Sequence, residues 1–235
     1  MSAIRENLEA VLRNMAEAAR QAGRDPASVR LVAVSKTVPP GPIREALTAG
    51  QTLFGENYLQ EAREKIPQIQ GVRWHYIGHL QSNKCREIAE LFDMVETVDR
   101  VKTARKLDEC AAALGRTLDI LVQVNICKEP QKSGVMPEEA EALLEAVAAC
   151  PHLRCRGLMA LPPRFDDPEG SRPAFRQLAE MGNQFAGKGL FHNNKEFELS
   201  MGMSGDYRAA IEEGATIIRV GTAIFGARPQ PGEIA

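Results

Sequence analysis

Eight short runs rich in apolar and β-branched residues alternate with helix-patterned stretches along this 235-residue chain, and that alternation leaves few folds open. Strands are expected at 30–35, 52–54, 72–77, 93–98, 118–126, 154–161, 197–201 and 216–220. Helical spacing covers 3–21 and recurs near 41–48, 57–65, 82–91, 100–114, 137–149, 172–185 and 205–212. Ser82, Asp99 and Pro137 read as helix starts, and Gly50, Gly115 and Gly214 as helix ends. Runs such as LDILVQVNI are apolar nearly throughout, which suits parallel strands covered on both faces. This pattern predicts an α/β fold, a single TIM-type (β/α)8 barrel occupying residues 1–235 as one domain. A doubly wound open sheet would want a glycine-rich turn after the first strand, and SKTVPPGP supplies none.

Composition removes several classes of function. A net charge of −2 gives no basic excess for nucleic acid or an anionic membrane. No stretch approaches the ~18 consecutive apolar residues of a membrane span. The opening MSAIRENLEAVLRNMAEAAR lacks the features of a signal peptide. Five cysteines, an odd set without a CxxC pair, favour free thiols in a reducing cytoplasm over disulfides or a zinc cage. No long apolar surface stripe stands out, so a monomer is expected.

In a barrel the chemistry collects at the carboxyl ends of the strands. The first such end reads LVAVSKTVPP, in which a strand points Val32, Val34 and Lys36 to one face and Leu31, Ala33 and Ser35 to the other. The bland alternative is a solvated lysine at a strand tip. After strand seven, SMGMSGD places two hydroxyls and two glycines before a helix; after strand eight, RVGTAIFG offers Gly221 and Thr222. Either loop alone could be a tight turn, but together they could cradle one phosphate. Arg219 lies inside the eighth strand and needs an acceptor there. Glu56, Glu198 or the ring nitrogen of a bound heteroaromatic would each serve. Pyridoxal 5′-phosphate (PLP) meets all three demands: an amine for its aldehyde, donors for its phosphate and a cation for its pyridine nitrogen.

Other polar residues read as structural. His75 and His79 could share a strand face, but no third ligand accompanies them. Cys127 lacks an activating neighbour, Trp74 is expected in the barrel wall, and Lys84 receives no role.

The segments AVSKT, LFGENYLQE, WHYIGHLQSNK, GLMAL and LSMGMSGDYRAAIEEGATIIRVGTAIFG resemble the pyridoxal phosphate homeostasis proteins, from about Lys36 to Gly226. The resemblance implies a barrel like the amino-terminal domain of alanine racemase, carrying the cofactor as an imine on Lys36. It further implies Arg219 at the pyridine nitrogen and Ser204, Gly221 and Thr222 at the phosphate. Asn57 near the ring and Ser200 on the glycine-rich loop complete the implied set. The pattern departs at Val38, where many members carry a second lysine.

Two functions compete: a carrier that holds and delivers the cofactor, in transient contact with apo PLP enzymes, and an amino-acid racemase or other imine-forming enzyme. Racemisation needs an acid/base on each face of the substrate α-carbon. Lys36 could serve one face. The alanine racemases draw the other from a tyrosine on an additional domain, which is not expected in a chain ending at Ala235, and Tyr58, Tyr76 and Tyr207 have no evident claim to that role. Resemblance and missing base together favour the carrier.

Overall fold

The computed structural model describes residues 2–226; residue 1 and residues 227–235, the two ends of the expected 1–235 domain, lie outside the described residues. Helix α1 (Ala3–Gln21) precedes strand β1 (Arg30–Val34), and strict alternation follows. Its order is α2 (Pro40–Thr48), β2 (Leu53–Glu56), α3 (Leu59–Lys65), β3 (Arg73–Tyr76), α4 (Cys85–Leu91), β4 (Met94–Val98), α5 (Val101–Ala113) and β5 (Leu118–Val124). Then come α6 (Ala140–Ala148), β6 (Leu153–Ala160), α7 (Arg172–Gly187), β7 (Glu198–Ser200), α8 (Tyr207–Glu212), β8 (Ile217–Val220) and α9 (Thr222–Phe225). The strands are all parallel and close in chain order, with β1 paired to both β2 and β8. The expected (β/α)8 barrel is the observed one.

Alternation of side chains sorts each strand into two layers. Val32, Met94, Leu121, Met159 and Ile217 point inward and fill the barrel. Leu31, Ala33, Phe54, Ile120, Leu158 and Ile218 point outward into the larger core beneath the helices. Trp74 belongs to that outer layer, its ring 5.5 Å from Phe54, as expected of a wall residue. Arg154 donates to Asp119 at 2.6 Å near the strands' amino ends, while the opposite mouth gathers the chemistry.

Helix ends follow the sequence more closely than helix starts. Gly50 and Gly115 end α2 and α5 at φ of 99° and 63°, a region glycine enters without steric cost. Neither Ser82 nor Asp99 caps a helix with its side chain, contrary to expectation. Ser82 opens a single 3-10 turn before α4, and Asp99 instead accepts from the neighbouring Arg100 side chain at 3.1 Å. Among the described residues no helix is long and apolar enough to cross a membrane.

Candidate functional site

Period two along β1 carries Lys36 to the barrel interior. Val34 and Lys36 both line a cavity of about 440 Å³ at the carboxyl mouth, while Ser35, on the opposite side, is fully buried. The turn after the lysine is strained: Thr37 sits at φ 63°, a region that costs a β-branched residue about 1–2 kcal/mol. A buried ion cluster holds it there. The Thr37 N–H donates to Glu61 Oε2 at 2.7 Å. Lys65, from α3, donates to that same oxygen at 2.6 Å, to Glu56 Oε1 at 2.9 Å and to the Ser35 carbonyl at 2.8 Å. Ser35 Oγ donates to Glu56 as well, at 2.7 Å. Burial pushes the Glu56 carboxyl upward, and the Lys65 charge opposes that shift. One lysine thus ties the end of β1 to β2 and α3, and fixes the segment from which the other lysine, Lys36, projects.

Arg219 forms the cavity floor. It is 3 % exposed and lines the cavity, and its NH2 donates to the Ala160 carbonyl at 2.9 Å. Its NH1 donates to Ser200 Oγ, which in turn donates to Glu96 Oε2 at 2.5 Å. The guanidinium and that carboxylate oxygen are 3.8 Å apart. The other Glu96 oxygen lies 2.6 Å from His75 Nδ1. Burial lowers the Arg219 pKa, opposed by the charges of Glu96 and Asp206, and the group keeps its proton. Burial would raise Glu96, but His75, Arg219 and Ser200 together pull it below its ordinary value.

Neither carboxylate expected as an acceptor for Arg219 serves it. Glu56 belongs to the outward face of β2 and is bound by Lys65. Glu198 points toward Arg30 near the opposite mouth and accepts from the Thr216 hydroxyl at 2.7 Å. The acceptors of Arg219 are instead the Ala160 carbonyl and Ser200 Oγ, and its charge partner, Glu96 at 3.8 Å, comes from β4 across the barrel.

The two glycine-containing loops meet above Arg219. Ser204, Gly205, Gly221 and Thr222 all line the cavity. Asp206 shapes the first loop from inside, accepting from the Met203 N–H at 2.7 Å and from Ser171 Oγ at 2.9 Å. Among the described residues the backbone N–H groups of Ser204, Gly205 and Gly221 have no hydrogen-bond partner, so they are open to an anion. Asn57 borders the same space, and its Oδ1 is buried without a partner. Its backbone is pressed against the turn that follows β3: a Cβ added to Gly78 would come within 1.9 Å of the Asn57 carbonyl oxygen.

Six of the seven expected site residues therefore share one cavity. The seventh, Ser200, is fully buried and lies behind Arg219, in contact with the guanidinium. Amine, open N–H groups, unpartnered amide oxygen and buried cation make a set of donors and one acceptor that fits a phosphorylated heteroaromatic aldehyde. Sequence reasoning passed over Arg164, Phe165 and Asp166, which line the outer cavity from the β6–α7 loop and carry no periodic pattern. It also passed over Glu96, which contacts Ser200 and Arg219, and Lys65, which binds Glu56, Glu61 and the Ser35 carbonyl.

The residues set aside remain apart. His75 is buried against Glu96, whereas His79 is exposed and pairs with Ser133 at 3.0 Å, so the two histidines do not act together. Among the described residues no group of three His, Cys, Asp or Glu side chains could hold a metal ion. Cys127 is exposed, with its thiol pKa raised by partial burial and by Glu129. Val38 is buried in the outer core and faces away from the cavity.

Comparison with known proteins agrees with the fold. The family model described as "Alanine racemase, N-terminal domain" matches residues 7–229. A pyridoxal phosphate homeostasis protein of Pseudomonas aeruginosa is 48% identical over 231 residues, covering 97% of each chain. One of Escherichia coli K12 is 45% identical over 233 residues, covering 97% of this chain and 98% of the other. Among solved structures, PipY of Synechococcus elongatus with PLP bound superposes with a TM-score of 0.78 at 37% identity, covering 90% of this chain and 100% of that one.

Proposed function

This chain belongs to the pyridoxal phosphate homeostasis protein family, on an alanine racemase N-terminal-type barrel, and from that membership we propose that it binds pyridoxal 5′-phosphate at the barrel mouth. It takes part in keeping the supply of that cofactor, without robust turnover of its own. The observation that carries the reading is convergence: Lys36, Asn57, Ser204, Arg219, Gly221 and Thr222, drawn from the ends of four strands, line one cavity.

Each residue has a definite task. Lys36 supplies the amine that captures the aldehyde, held in place by the turn that Lys65 and Glu61 fix. The open N–H groups of Ser204, Gly205 and Gly221, with the two hydroxyls beside them, take the phosphate. Arg219 donates to the pyridine nitrogen. Ser200 supports it from behind rather than touching the ring. Asn57 offers its unpartnered amide oxygen, an acceptor, to the ring's edge. The bound cofactor supplies an electrophilic carbon; an arginine at its ring nitrogen keeps that nitrogen unprotonated and weakens the ring as an electron sink.

The carrier reading is further supported by what surrounds the amine. Tyr76 is buried in the outer layer and donates to the His79 carbonyl at 3.1 Å, and none of the three tyrosines is among the cavity-lining residues. Hence no tyrosine of the described residues is placed as the second base that racemisation needs. The whole chain acts as one cofactor-binding domain, a monomer in the reducing cytoplasm, consistent with its free cysteines. It contacts apo PLP enzymes only transiently.

The test is transfer against turnover. Loaded protein mixed with an apo PLP enzyme is expected to restore that enzyme's activity, and with single-enantiomer amino acids to leave optical rotation unchanged. Sustained racemisation over many turnovers would overturn the carrier reading in favour of the racemase.

A further inference from the structure

Beneath the cavity four side chains with hydrogen-bonding groups run in line across the barrel: His75 on β3, Glu96 on β4, Ser200 on β7 and Arg219 on β8. His75, Glu96 and Ser200 are 0 % exposed and Arg219 3 %, so the line is shut off from bulk solvent. Only Arg219 reaches the cavity. A carboxylate inside a barrel is costly unless paired, and breaking such a pair is costlier than forming it is favourable. The three behind Arg219 therefore need a reason to be there, and apolar packing is not it.

Geometry supplies one. A guanidinium on a long side chain can swing, and five N–H donors can point many ways. Here the Ala160 carbonyl takes one nitrogen and Ser200 Oγ the other. The Ser200 hydroxyl can accept from Arg219 only if its own hydrogen goes elsewhere, and Glu96 Oε2 takes it at 2.5 Å. Glu96 is in turn prevented from rotating by His75 Nδ1 at 2.6 Å on its other oxygen. With its back edge anchored, Arg219 presents its remaining donors to the cavity in one orientation.

We infer that Glu96 is a positioning residue: acting through Ser200, it fixes Arg219 as a hydrogen-bond donor aimed at the ring nitrogen of the bound heteroaromatic. This rests on the reading of Arg219 given above. Glu96 touches no part of the ligand, so its effect must depend on what the ligand offers Arg219.

A pair of ligands isolates that dependence. Affinities are measured by titrating the unloaded protein with PLP and with its analogue in which ring carbon replaces the pyridine nitrogen. The native chain should prefer PLP by about tenfold or more, since the analogue leaves a charged donor unpaired. Glu96→Gln should reduce that preference to under about threefold while leaving affinity for the analogue within about twofold of native. Glu96→Asp, which keeps the charge but shortens its reach, should fall between the two, and it carries the test alone if the glutamine variant does not fold. A merely structural Glu96 would lower both affinities by the same factor and leave the preference intact; that result overturns the inference. Equal affinities in the native chain would instead refute the assignment of Arg219 to the ring nitrogen, and the inference with it.

Discussion

At the scale of single residues, the same periodicity that made Lys36 and Arg219 legible left their partners hidden. Alternation along β1 and β8 turns both side chains inward, and the structure places both on the cavity. What Arg219 pairs with depends on which strands face each other across a closed barrel, and no local pattern encodes that. Glu96 sits in VETV, where it reads as one more polar residue in a strand. Its buried pairing has a consequence in acid. Because Glu96 is held below the ordinary 4.5, its contribution to stability is complete above that pH and is lost as pH falls through the lower folded value. As pH falls below about 6 the native melting temperature should therefore drop more steeply than that of Glu96→Gln, the two curves converging toward the acid end. Parallel curves, measured by scanning calorimetry, would mean that Glu96 carries no such charge.

At the scale of elements, the two loops proposed to hold the anion were legible because glycine and serine between a strand and a helix carry a specific meaning. Helix α9, four residues long, was not, since it is too short to show a 3.6-residue period. The start of α5 was misjudged because Asp99 found a side-chain partner in place of a backbone N–H. The element that most affects the site without entering it is α3, whose last residue, Lys65, binds the ends of β1 and β2. Lys65→Met leaves Glu56, Glu61 and the Ser35 carbonyl without their shared donor. Loss of one partner of a buried ion cluster costs about 3–5 kcal/mol, so the urea midpoint should fall by that amount divided by the slope. The Thr37 turn should loosen with it, slowing capture of PLP by Lys36. A variant as stable as the native chain would show that the cluster does not hold this turn.

For the whole molecule, the barrel was legible from alternation, length and the missing dinucleotide turn, because each constrains topology rather than detail. Closure does the rest. It brings residues from the first, second, seventh and eighth strands to one mouth, where Lys36, Asn57, Ser204 and Thr222 line a single space. The β6–α7 loop, with Arg164, Phe165 and Asp166, also lines that space and was not foreseen, since irregular chain leaves no periodic trace.

The central claim is that one amine of this chain captures PLP. Borohydride reduction of the loaded protein, followed by peptide mass mapping, tests it directly. The pyridoxyl mass should appear on the peptide containing Lys36 at one group per chain, and Lys36→Ala should take up none while remaining folded. A full complement of pyridoxyl on a different lysine, or none on the native chain, would contradict the account.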